Sequence, residues 1–180
     1  MDIVAHGLLV GIGLAAAGRR WPFTRRTAVA TLGLAVVPDL AQLLPLIVGT
    51  VFEPGGVAVL SAYVSALPGF EPRLPPLMAL LTHHLHCLMH SALVAGAVTG
   101  VVWFVSRSFW LPLLGWWSHI VIDVFTHSAD FYAVPVLYPF TQRGFDGLAW
   151  NTPWFLALNY LAIAVGVSWL LLSRPKGKSS

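Results

Sequence analysis

Residues 77–105 read LMALLTHHLHCLMHSALVAGAVTGVVWFV. Crossing about 30 Å of hydrocarbon takes about 20 apolar residues, and this run has them. It also carries His83, His84, His86 and His90 in its first half. A span with imidazoles gathered towards one end sets the terms on which the rest is read. The chain of 180 residues is 57% hydrophobic and 9% charged, where a soluble domain has about 45–50% and about 25%. Its mean hydropathy is +0.78. These proportions exclude an ordinary soluble enzyme, a disordered tail, and a nucleic-acid binder with its dense basic surface. The one cysteine, Cys87, leaves no partner for an intrachain disulfide.

Four further apolar blocks lie outward of this run, at 3–18, 28–49, 109–127 and 153–173. The first is short for a span. It has Asp2 and His6 where a secretory signal has basic residues, so it reads as a retained helix. The expectation is an all-α, polytopic membrane helix bundle of about five transmembrane helices, one integral-membrane domain over 1–180. With the N-terminus outside and the C-terminus inside, the inner segments hold Arg19, Arg20, Arg25, Arg26, Arg107, Arg174, Lys176 and Lys178. Only Arg73 and Arg143 then lie outside, as the positive-inside rule requires.

That orientation uses lysine and arginine alone, yet it also sorts the other ionisable groups. Asp2, Asp39, Glu53, Glu71, Asp123, Asp130 and Asp146 fall outside or in the middle-to-outer part of a span, as do all seven histidines. Residues four apart share a helix face, which pairs Asp2 with His6, His86 with His90, His119 with Asp123, and Asp123 with His127. His83 joins the His86/His90 stripe, while His84 points about 100° away. Asp39 follows Pro38, expected to kink the second helix. Ionisable side chains in a membrane are costly and face a bundle interior or a wet cavity. Imidazoles and carboxylates together suit zinc and other first-row divalent metals. The expected ligands are His86, His90, His119 and Asp123, with His6, His83 and His127 completing or supporting the set. Asp39, also a candidate ligand, would orient or deprotonate water. One or two ions are expected.

At these residues the chain resembles the membrane-bound, metal-dependent hydrolases of the YbcI/YdjM type, small bacterial inner-membrane proteins. The matching elements are His6, Pro38-Asp39, His90-Ser91 and Ser118-His119 followed by Asp123. A Pro-containing apolar stretch, Val134 to Phe140, comes after them. The histidine–aspartate pair with His127 is also distantly similar to zinc phospholipase C. The resemblance implies a hydrolase of the inner (cytoplasmic) membrane, with membrane lipid as its partner. It departs where many members have a second aspartate two residues after the Pro-Asp aspartate, here Ala41, and a His-Arg five residues before the His-Ser histidine, where Leu85 stands.

The outer loops, 50–76 and 128–152, are longer than structureless connections usually are and read as lids over the cluster. They carry Arg73 and Arg143, whose guanidinium forks suit phosphate, so both are candidate substrate contacts. The function expected is hydrolysis of a lipid or lipid-linked phosphoester from the outer leaflet. A metal or proton transporter and a haem-binding electron-transfer protein are the alternatives. Haem would be expected to spread histidine pairs over both leaflets, and a transporter would need polar groups in the inner half, where only Thr31, Thr99 and Ser106 stand.

Overall fold

The computed structural model describes residues 1–173, which form eight α-helices and no strand. They are α1 (Ile3–Ala17), α2 (Arg25–Ala41), α3 (Leu44–Phe52), α4 (Gly56–Ser65), α5 (Pro76–Met89), α6 (Ala92–Ser106), α7 (Leu113–Thr126) and α8 (Pro153–Leu172). The all-helical class is as the sequence leads one to expect. Arg174, Lys176 and Lys178 lie outside the described residues.

Each apolar block becomes helix, but two of them break. The 28–49 block divides into α2 and α3 with a 56° bend, and the 77–105 block into α5 and α6 with a 60° bend. The first break does not fall at Pro38, which lies inside α2. It falls at Gln42-Leu43, just ahead of Leu44 and Pro45 in the first turn of α3. Pro45 has no N–H to offer the Ala41 carbonyl, and its ring would press on that group, so α2 ends there. The second break has no proline. Ser91 caps α6 by accepting the Val94 N–H at 3.2 Å, and its hydroxyl donates to the Tyr138 carbonyl at 2.7 Å. The freed N–H groups of Ala92 and Leu93 donate to the Val136 carbonyl.

Among the described residues, α8 is the one helix long and apolar enough by itself to cross a bilayer; the two bent pairs reach the length only if each counts as one span. α1 and α7 are shorter apolar helices, about 21–23 Å at 1.5 Å per residue. α7 begins at Leu113 because Pro112 stands at its N-cap. Side chains such as Leu158, Leu161, Val165 and Leu171 leave α8 with a broad exposed apolar surface.

The connections are more structured than lids. Residues 50–76 contain the end of α3 and the whole of α4, which packs on α3 through Gly49 and Gly56, where a Cβ on Gly56 would run into the α3 backbone. In 128–152, Val134 and Pro135 are fully buried, and the Val136 carbonyl just after them accepts at the α5/α6 elbow. Gly147, Leu148 and Trp150 donate backbone N–H groups to the carbonyls of His127, Phe125 and Thr126, closing the end of α7.

The most extensive helix contact is between α2 and α7. Gly115 lies against the α2 backbone at Thr31 and Ala35, with no room for a Cβ. This approach brings Asp39 on α2 to the level of His119 and Asp123 on α7. α1 packs beside both, and its first turn, capped by Asp2 Oδ1 accepting the Ala5 N–H at 2.9 Å, carries His6 to the same level.

Candidate metal centre

The two breaks and the close helix pair converge on one group: Asp39, His90, His119 and Asp123, four side chains whose donor atoms all lie within 4.8 Å of one another. His90, His119 and Asp123 are buried, and Asp39 is nearly so. Each imidazole is held by its δ nitrogen. His119 Nδ1 donates to the Ala35 carbonyl at 2.7 Å, and His90 Nδ1 to the His86 carbonyl at 2.8 Å. In the neutral rings this leaves a bare lone pair on each Nε2. These two ε nitrogens stand 3.0 Å apart. Asp123 Oδ2 lies 3.0 Å from His119 Nε2 and 3.3 Å from His90 Nε2, and Asp39 Oδ1 lies 3.6 and 3.5 Å from the same atoms.

Four acceptors facing one another repel unless a cation sits among them. A proton on one imidazole relieves part of this; a metal ion relieves all of it. A tetrahedral zinc with bonds of about 2.0–2.1 Å spaces its donors about 3.3 Å apart, and the separations above bracket that value. This group therefore has the donors and the spacing to hold one metal ion. The hydrogen bonds from the δ nitrogens to backbone carbonyls are the orienting contacts that metal-bound histidines usually have.

Around the four stand three further histidines. His6 Nε2 donates to Asp123 Oδ1 at 2.9 Å, and its ring stacks on His119 at 3.9 Å between centroids. It thus holds the carboxylate with Oδ2 turned to the cluster. His127 Nδ1 donates to the Asp123 carbonyl at 3.0 Å. The Met1 nitrogen also contacts Asp123 Oδ1. His86 stacks on His90 at 4.2 Å, and both of its ring nitrogens are buried without a partner.

His83 is not brought to the centre. It is exposed, with Nε2 3.6 Å from Cys87 Sγ. Seven residues from His90 along a helix is about 10 Å, too far from the elbow to share an ion, although the two lie on one stripe. His84 points away, as its angular offset requires, and bonds the Tyr138 hydroxyl at 2.8 Å. Asp2 is taken up as the α1 cap instead of pairing with His6.

A cavity of about 330 Å³ opens beside the cluster, lined by Asp39, His86 and His127 and by Tyr63, Glu71, Tyr132 and Trp150 among others. Asp39 is the one cluster member that reaches it, and Asp39 Oδ2 has no partner. Arg73 and Arg143 are exposed and neither lines the cavity. The loops 66–71 and 128–132 are joined there: the Tyr132 hydroxyl donates to Glu71 Oε1, and the Gly69 N–H donates to the same carboxylate at 3.1 Å. Burial, with the neighbouring Glu71 carboxylate, holds the Tyr132 phenol above its usual range, so it remains a donor. Tyr63, Tyr132 and Trp150 carried no signal in the sequence, since an isolated aromatic residue bears no mark of where it will fold. The Ala35 carbonyl left no signal at all, being a backbone group.

Comparison with family models, with curated proteins and with solved structures returned no match.

Proposed function

We propose that the chain is an integral membrane protein of five spans, N-terminus out and C-terminus in, whose Asp39, His90, His119 and Asp123 hold one zinc-like ion for hydrolysis of a lipid or lipid-linked phosphoester. The observation that carries the metal is the pair of ε nitrogens at 3.0 Å, facing Asp39 and Asp123, with each ring turned this way by a bond from its δ nitrogen to a backbone carbonyl. The odd number of spans is supported by α1 and α8 running parallel. Asp2 meets Tyr160 at one end, and Arg19 reaches the Leu170 and Ser173 carbonyls at the other. Parallel first and last helices fit an odd number of crossings. The resemblance to the YbcI/YdjM-type hydrolases supports the same reading and a place in the bacterial inner membrane.

A divalent ion at such a centre polarises a phosphoryl or carbonyl oxygen and lowers the pKa of water towards about 7. His90, His119 and Asp123 supply the fixed donors. His6 keeps the Asp123 carboxylate turned inward. Asp39 faces both the cluster and the cavity, and its free Oδ2 orients the attacking water and accepts its proton. Below the cluster, Ala95, Leu113, Trp116 and Ile120 form an apolar core. That closure favours a one-sided site over a transport path.

The test is elemental analysis of detergent-purified protein together with a phosphodiester hydrolysis assay. The reading expects about one zinc-like ion per chain and turnover that a chelator stops. Protein without metal, grown and purified in its presence, would reject it.

A further inference from the structure

The cavity beside the cluster has a chemistry that the metal alone does not use. Among the described residues no lysine or arginine side chain lines it, whereas the carboxylates of Asp2, Asp39 and Glu71 do. Glu71 accepts only from a hydroxyl and a backbone N–H. Arg73, two residues on, is exposed and forms no ion pair with it among the described residues. Asp2 Oδ1 accepts the Ala5 N–H and the Tyr160 hydroxyl, and its Oδ2 is buried without a partner. His86 stands in the same wall with both nitrogens buried and unpartnered. The Met1 ammonium also lines the cavity but is paired with Asp123, so the half-buried carboxylates of Asp2 and Glu71 face this space without a counter-charge, which is costly away from water.

Tyr63, Tyr132 and Trp150 bring aromatic rings to the remaining walls, beside aliphatic side chains such as Ile3, Val4, Leu43 and Val64. An anion entering the mouth would meet carboxylates. A hard cation such as calcium takes six to eight oxygen ligands, and aromatic faces supply none. An organic ammonium group is the ligand that ring faces and a carboxylate hold together. At about 330 Å³ the cavity is at the small end of ligand pockets, with room for a headgroup and not for acyl chains.

We propose that this cavity is a subsite for an organic ammonium headgroup of the choline or ethanolamine type, with Glu71 as its counter-charge and Tyr63, Tyr132 and Trp150 as its aromatic faces. The inference rests on the hydrolase reading for its consequence: the substrate narrows to a lipid phosphoester with an amino-alcohol headgroup, the phosphoryl group towards Asp39 and the ammonium towards Glu71.

The experiment is calorimetric titration of the full chain, in a maltoside detergent, with choline and with its uncharged carbon isostere, while metal content is measured on the same preparations. Choline should bind saturably and the isostere should not. Glu71→Gln should weaken choline binding roughly tenfold and Tyr63→Leu roughly three- to fivefold, both with wild-type metal content. Tyr63→Leu leaves the Tyr132–Glu71 link in place, so it reads the subsite even where Glu71→Gln fails to fold. Choline binding that is absent, equal in wild type and both variants, or matched by the isostere overturns the subsite and leaves the metal reading standing. Metal-free chains that still bind choline support the subsite and count against the hydrolase reading alone.

Discussion

His90 and His119 meet through their ε nitrogens because each has given its δ N–H to a carbonyl, of His86 and of Ala35. Imidazoles so aimed at two carboxylates take up either a proton or a metal ion, and only the metal satisfies all four donors at once. His119→Ala should therefore leave a folded chain with little or no bound metal, since a tetrahedral site that loses a donor loses much of its affinity. His84→Ala should keep wild-type metal content and lose about 1 kcal/mol, the worth of its bond to Tyr138. Elemental analysis and a denaturation curve on the two variants separate these effects. Equal metal in wild type, His119→Ala and His84→Ala would sink the metal centre. Aspartate and histidine at four-residue spacing made this part of the site legible. The fate of Asp2 was not legible, because a helix cap and a helix pair use the same residue type.

At the level of elements, the site depends on how close α2 and α7 come and on where two helices stop. Gly115 has the α2 backbone against its face. Gly115→Val should push the pair apart, cost about 1–3 kcal/mol as overpacking does, and lower metal occupancy although no ligand is touched. Melting temperature and metal content measured together check this; unchanged metal at a lowered melting temperature would show that the spacing is not what assembles the site. Ser91 works at the elbow, as the α6 cap and as donor to Tyr138. Ser91→Ala should cost about 1 kcal/mol from the cap and loosen the Val134–Tyr138 segment, readable as faster hydrogen exchange at Ala92 and Leu93. Protection equal to wild type there would show that the elbow holds without the serine.

For the whole molecule, hydropathy and charge act together. A reporter fused to the C-terminus should be active only on the cytoplasmic side and one at the N-terminus only on the outer side; the reverse pattern would overturn the orientation, and both termini on one side would overturn the five spans. Metal removal is also a whole-molecule event, because α1, α2, α5 and α7 all bring a side chain to the centre or its edge. A ligand at about a hundred times its dissociation constant stabilises the folded state by about 2.7 kcal/mol. Chelation should lower the melting temperature of wild type and leave that of His119→Ala where it was. An equal shift in both would place the chelated metal elsewhere.

The sequence by itself determined the helices and the residue types of the centre. Apolar blocks become helices because a backbone removed from water must satisfy its own hydrogen bonds, and that demand is local. The i,i+4 pairs of α7 needed nothing beyond the pitch of one helix. Only the tertiary structure decided which histidines meet. His6 joins His119 by stacking across α1 and α7, whereas His83, on the right stripe, stays outside because the elbow lies two turns away. Arg73 and Arg143 had suitable chemistry and the wrong place, and the break in the second block came from Pro45, not Pro38. These outcomes rest on contacts between residues far apart in the chain, above all the approach of Gly115 to α2 and the bonds of the Val136 and Tyr138 carbonyls at the elbow. Periodicity tells which face of a helix is apolar. It does not tell which other face that one will meet.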